Sequence, residues 1–240
     1  MIKPPGNDDE ARRGAFASMV AHELRTPLTA AYGALEMMTR AAATSSASDD
    51  ARNAVLIDLA HRNTQRLLRI VEDCLDLEAA SDGRLPLERG RVEPGDLTTL
   101  AIAGASSARE QTGAQVVSRL DASCTIAGDG GRLCRALTHL VQNAVTFAPK
   151  GTVVTVTTED IPARGMVRFT VMDLGAGIAP ERLGALFQRF DCREAPGRNR
   201  IGGLGMGLAF VRAIAEAHGG TVGAESRPGR TTVWFEVPGD

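Results

Sequence analysis

The sequence predicts an α+β protein of two domains, an antiparallel helical hairpin followed by an α/β sandwich. Two long segments, 8–40 and 51–80, carry apolar residues at helical spacing on either side of the small, polar run AAATSSASDD. Residues 81–90, SDGRLPLERG, hold the Gly and Pro of a linker. Beyond it, amphipathic helices alternate with β-branched strands as far as residue 238. The expected boundaries are therefore a hairpin at 8–80, a linker at 81–90 and a sandwich at 91–238.

In the first helix Phe16, Val20, Leu24, Leu28, Leu35 and Met38 recur three, four or seven residues apart and share a stripe. Asp49 or Asp50 can cap the second helix, whose apolar face is marked by Val55, Leu59, Ile70, Cys74 and Leu77. A lone hairpin leaves half of its stripe in water. Pairing two copies into a symmetric four-helix bundle buries it, so a homodimer is expected. The first helix also carries HELRTPL at residues 22–28, with Pro27 in the helix interior. Proline removes one rung of hydrogen bonds there at a cost of roughly 3 kcal/mol, so a bend is expected just after His22.

In the second domain, 94–111 reads as a helix and QVVSRL and CTIAGD as short strands. Residues 130–148 form an amphipathic helix with Leu133, Leu137, Leu140, Val141, Ala144 and Phe147 on one side. TVVTVTTED and MVRFTVMD alternate at period two and read as a strand pair. The stretch 175–205, rich in Gly, Arg and Pro, is expected to be mobile. GMGLAFVRAIAEAHGG is a helix closed by Gly219, and TVGAES and TTVWFEV complete the sheet.

Composition excludes several classes. The net charge of −2 offers no excess of cations to meet nucleic-acid phosphates or an anionic membrane. Aromatic residues, at 4 %, leave little for base stacking. No apolar run approaches the roughly 20 residues that span a bilayer. MIKPPGNDDEARRG lacks the apolar stretch of a signal peptide. Cys74, Cys124, Cys134 and Cys192 lack CxxC spacing and read as reduced thiols of a cytoplasmic protein.

Three motifs carry chemistry. In VMDLGAGI, residues 171–178, a strand delivers Asp173 at its end, and Gly175 and Gly177 let the backbone turn and approach a ligand. The carboxylate can accept from an exocyclic amine such as that of adenine; a plain glycine turn is the equal alternative. GGLGMGL, residues 202–208, opens a helix whose N-terminal N–H groups suit phosphate. It fits neither the GK[ST] phosphate loop nor a dinucleotide fold. In LTHLVQNAVTFAPKG, Asn143 lies on the polar face and can ligate Mg²⁺ through its amide oxygen, although a solvated Asn is the commoner case.

Taken together and in order, these segments resemble the bacterial two-component sensor histidine kinases. HELRTPL matches the phospho-acceptor box, LVQNAVTFAP the N box, DLGAGI the first glycine box, LFQRF at 186–190 the aromatic lid box, and GGLGMGLAFVRAIAEAHGG the second glycine box. The resemblance covers residues 14–238. It implies an ATP-dependent kinase that phosphorylates His22 and passes the group to an aspartate of a response-regulator receiver domain, with phosphatase activity towards that regulator. Glu23 would assist His22, and Thr26, one turn on, would orient water for dephosphorylation. Asp173, with Gly175 and Gly177, would hold adenine, Asn143 would hold Mg²⁺, and Gly203, Leu204, Gly205, Met206 and Gly207 would line the phosphates of ATP.

The chain departs from the family pattern at His139, where Asn or an acidic residue is usual, and at Thr146, where a basic residue often stands; Lys150 is a candidate substitute. Arg193 or Arg198 is a further candidate phosphate contact. His61 and His218 read as structural. A phosphatase-dominant enzyme, a non-catalytic phosphotransfer dimer and a chaperone- or topoisomerase-like ATPase are the competing readings. A membrane link is expected only through a sensor segment outside this chain, which reads as the cytoplasmic fragment of a longer kinase.

Overall fold

The computed structural model describes residues 7–43, 50–188 and 206–240. The chain forms two compact units, residues 1–76 and 77–240. Among the described residues, no helix is long and apolar enough to cross a membrane.

The first unit consists of helix α1 (Asn7–Ala43) and most of α2 (Asp50–Ser81). Helix α1 runs through Pro27, which is buried. The missing N–H of Pro27 is the one that would reach the Glu23 carbonyl four residues back. The two helices meet through small residues: Ala34 packs with Leu56, Ala60 and Met38, and Ala31 is buried as well. Leu28, Leu35 and Val55, three members of the predicted stripe, are more than half exposed. The seam within one hairpin is thus built from alanines around Leu56 and Met38, while Leu28, Leu35 and Val55 face outward.

The second unit is a two-layer sandwich. Strand β1 (Gly90–Val92) pairs antiparallel with β3 (Ile126–Gly128) as a separate two-stranded sheet. The main sheet is built from β2 (Gln115–Leu120), β4 (Val153–Ile161), β5 (Met166–Asp173), β6 (Thr221–Arg227) and β7 (Arg230–Pro238). Its order is β2-β4-β5-β7-β6, with β2 parallel to β4 and every other pairing antiparallel. The segment predicted as one helix over 94–111 is two, α3 (Pro94–Gly104) and α4 (Ser106–Thr112), broken at the buried Ala105.

Period-two alternation sets the inner face of the sheet. Val154, Val156, Val167, Phe169, Val171, Phe235 and Val237 are all buried there. Phe169 and Phe235 are cross-strand partners whose rings stack 4.9 Å apart. Helices α3, α5 (Gly130–Phe147) and α7 (Gly207–Ala217) pack over this face, while the short α6 (Pro180–Leu183) follows the first glycine turn. Leu133, Leu137, Leu140, Val141 and Ala144 of α5 are buried as expected. Phe147 is not: at the last turn it has run past the sheet and is 48 % exposed.

Candidate functional site

In the hairpin, His22 lies on the open side of α1 with its side chain 54 % exposed. Glu23, 100° further round the helix, is drawn in and only 22 % exposed. Its Oε1 lies 4.0 Å from His22 Nδ1. This leaves Nε2 as the ring nitrogen turned away from the carboxylate. Thr26 Oγ1 donates to the His22 carbonyl at 3.4 Å, so the hydroxyl stays on the His22 face. One residue that sequence reasoning missed completes the cluster. Arg66, on α2, approaches Glu23 Oε2 at 3.4 Å from forty-three positions along the chain.

In the second unit, β5 ends on Asp173, which is 6 % exposed. Burial pushes its carboxyl above the usual range, and the Gly175 N–H, donating to Oδ1 at 2.7 Å, works against that rise. Both glycines of the turn are required sterically. A Cβ at Gly175 would meet Asp173 Oδ1 at 2.6 Å and the Phe147 carbonyl at 2.9 Å. Gly177 has φ +87°, and a Cβ there would lie 2.7 Å from the Arg227 carbonyl. The far side of the turn is held by β6 and β7: Ile178 N–H donates to Ser226 Oγ at 2.8 Å, and Ser226 Oγ lies 3.0 Å from Thr231 Oγ1. Thr231 is the cross-strand partner of Asp173.

Helix α5 joins these parts. Its C-terminal turn, through the Phe147 carbonyl, abuts Gly175. One turn before Asn143, His139 touches the start of α7: a Cβ at Gly207 would come within 3.1 Å of His139 Nδ1, and the His139 and Phe210 rings meet edge-on at 5.3 Å. Asn143 is half-buried on the same helix. The helix carrying Asn143 therefore lies between Asp173 with its glycines and the beginning of the second glycine box, where Met206 is 3 % exposed. Gly203, Leu204 and Gly205 lie outside the described residues, as do Cys192, Arg193, Arg198, Asp49, the last two residues of LFQRF, the side chain of Phe16 and most of the loop expected to be mobile. At Thr146 the hydroxyl is spent on its own helix, donating to the Gln142 carbonyl at 2.7 Å, and Lys150 is exposed.

His218 is structural, as expected. Its Nδ1 is 2.8 Å from the Ile214 carbonyl and its Nε2 is 2.9 Å from the Asp129 N–H, which fixes the neutral tautomer with the proton on Nδ1. Asp129 caps α5. Burial pulls its carboxyl up, but the Arg132 N–H, the Arg132 guanidinium and the Glu88 N–H outweigh that and hold it below the usual range. His61 is exposed and lies 3.3 Å from Gln65 Nε2.

Residues 12–83 match the family described as His Kinase A (phospho-acceptor) domain, and residues 128–240 match the family described as histidine kinase-, DNA gyrase B-, and HSP90-like ATPase. The chain is 34 % identical over 228 residues to the probable sensor histidine kinase TcrY of Mycobacterium tuberculosis, covering 94 % of this chain and 46 % of TcrY. It is 34 % identical over 230 residues to the histidine protein kinase DivJ of Caulobacter vibrioides, covering 95 % of this chain and 38 % of DivJ. The crystal structure of full-length ShkA in complex with AMPPNP superposes with a TM-score of 0.62 at 28 % identity, covering 94 % of this chain and 46 % of ShkA. The chain thus spans less than half the length of these relatives.

Proposed function

The chain belongs to the two-component sensor histidine kinases, and from that premise we propose that it transfers the γ-phosphoryl group of ATP to His22 and then to an aspartate in the receiver domain of a response regulator. The observation that carries this reading is the exposed His22 with a carboxylate 4.0 Å from Nδ1, on the side away from Nε2. The Nε2 lone pair attacks the γ-phosphorus, an N–P bond forms, and the P–O bond to ADP breaks with its electron pair leaving on ADP. The Nδ1 proton passes to Glu23 and on to solvent. The product is a neutral, phosphorylated imidazole, so no charge builds on the ring.

The nucleotide site supports the same reading. Asp173 offers one buried carboxylate oxygen to adenine while the other is held by Gly175. ATP brings its own charge to be neutralised, and Mg²⁺ supplies that neutralisation when bound. Among the described residues no cluster of three acidic, His or Cys side chains could hold a metal. A hard cation here fits one protein oxygen, from Asn143, with phosphate and water completing its shell. Gly207 and Met206, with Gly203, Leu204 and Gly205, would line the phosphates. Thr26 orients the water that removes phosphate from the regulator. The working protein is a homodimer in the cytoplasm, where ATP is supplied.

Incubation with γ-labelled ATP and Mg²⁺ tests the reading. A phosphoramidate is lost in acid, because protonated nitrogen leaves readily, and it survives base. His22→Gln is expected to abolish label while leaving ATP binding intact. Acid-stable label, or label retained in His22→Gln, would move the acceptor elsewhere.

A further inference from the structure

We propose that Arg66 is a positioning residue for phosphoryl transfer: it holds the Glu23 carboxylate against His22 and offsets its negative charge as the phosphoryl group arrives. This inference rests on the kinase reading. It starts from the three-residue relay at the open side of the hairpin, His22 Nδ1 to Glu23 Oε1 at 4.0 Å and Glu23 Oε2 to Arg66 at 3.4 Å. Other arginines of the hairpin pair along their own helix, Arg40 with Glu36 and Arg62 with Asp58, each one turn apart. Arg66 instead spans from α2 to α1.

Such a link does two things that an isolated Glu23 cannot do. A glutamate carries three rotatable bonds and samples many rotamers on a helix surface. Engaging Oε2 from the neighbouring helix restricts that freedom and presents Oε1 to Nδ1. A catalytic group held in one orientation gains rate without any new contact to substrate. The second effect is electrostatic. The transferred group carries up to two negative charges. It arrives at a ring whose neighbour is a carboxylate, an arrangement of like charges that disfavours the phosphorylated state. A guanidinium on that carboxylate supplies the opposing charge. Arg66 is 52 % exposed, so the link is weak as a stabiliser of the fold and free to serve the reaction.

Because Arg66 is proposed to act through Glu23, the decisive measurement is a double-mutant cycle on the full chain, read as initial labelling rate against ATP concentration. Arg66→Ala is expected to lower kcat about five- to tenfold with KM for ATP unchanged, since an oriented base contributes to chemistry and not to nucleotide binding. Arg66→Lys is expected to recover part of that loss, because it restores the charge but not the fork. In a Glu23→Gln background, Arg66→Ala is expected to cost less than twofold more. A full additional loss in that background would show that Arg66 acts independently of Glu23 and would overturn the proposal, as would an Arg66→Ala rate equal to wild type. A raised KM with unchanged kcat would overturn it as well, by making Arg66 a nucleotide contact. Failure of the wild-type chain to label at His22 would overturn the kinase reading, and this inference with it. An unchanged circular dichroism spectrum for Arg66→Ala separates each of these results from misfolding.

Discussion

Asp173 is a carboxylate kept dry at the end of a strand, and dryness has a thermodynamic signature. Its folded pKa is raised by burial, against the hydrogen bond from Gly175. A raised carboxyl contributes stability that is fully present below its unfolded value and is lost as pH rises through the folded value. At neutral pH the ionised side chain therefore works against the fold, which is the mark of a residue retained for binding. Asp173→Asn separates the two roles. The Asn carbonyl oxygen still accepts from Gly175, so the turn survives, but its amide places N–H donors where the carboxylate offered an acceptor. Facing an exocyclic amine, donor meets donor, and an unpaired buried polar group costs about 1–3 kcal/mol. The expected outcome is an unchanged or higher melting temperature at pH 7, with ATP affinity reduced about ten- to a hundredfold in a Mg²⁺-containing titration. A lowered melting temperature with unchanged affinity would make Asp173 structural.

Helices α5 and α7 carry the N box and the second glycine box, and His218 ties one to the other. It closes the last turn of α7 on the Ile214 carbonyl and accepts from the N-cap residue of α5. Burial, at 3 % exposure, drives its pKa down; the Ile214 carbonyl opposes this, Arg89 adds to it, Asp129 opposes it and Arg132 adds to it. The folded state thus holds His218 neutral, and the unfolded chain takes the proton first. Stability is expected to fall as pH drops below the ordinary histidine value near 6.5 and to level off below the folded value. Urea midpoints between pH 7.5 and 5 check this. In His218→Gln the midpoint should be lower overall but its pH slope smaller, and an unchanged slope would place the titration elsewhere.

The same elements show what was legible in the sequence. Strands β4 and β5 announce themselves because one face meets helices and the other water, and α5 because its buried stripe is continuous from Leu133 to Ala144. Strand β1 is three residues long, too short to carry a period, and is recognisable only once paired, whereas β3 falls inside CTIAGD, which reads as a strand. The break at Ala105 follows Gly104, the last residue of α3 and a weak helix former, and leaves Ala105 itself buried. At the site, Asp173, Gly175 and Gly177 were readable because their chemistry is local. The Arg66–Glu23, Ser226–Ile178, Thr231–Asp173 and His139–Gly207 contacts were not, because each joins residues far apart in the chain and leaves no spacing to read.

At the scale of the whole molecule, the two units bury their apolar surface to very different degrees. The sandwich encloses Phe169, Phe210, Phe235 and Leu137 completely. Among the described residues the hairpin's buried apolar cluster is a thin seam around Ala34, Leu56 and Ala60, and Leu28 57 %, Leu35 54 %, Val55 63 %, Leu68 59 % and Leu75 64 % stay exposed. Leu28 and Leu35 are seven residues apart on α1, and Leu68 and Leu75 are seven apart on α2, so each pair shares a face of its helix. Two helices with matching exposed stripes would make half of a four-helix bundle, and a second copy would supply the missing half by symmetry. Burying a leucine gains about 1.5–3 kcal/mol, so a handful of such residues per chain is ample for micromolar association. The full chain is expected to sediment as a dimer at micromolar concentration. Replacing Leu35 and Leu68 together with Glu is expected to yield a monomer that still binds ATP, because the residues proposed to bind the nucleotide lie in the second unit with its own core. A wild-type chain that sediments as a monomer would mean that these leucines face something other than a second copy, and a Glu variant that remains dimeric would move the interface off this face of the hairpin.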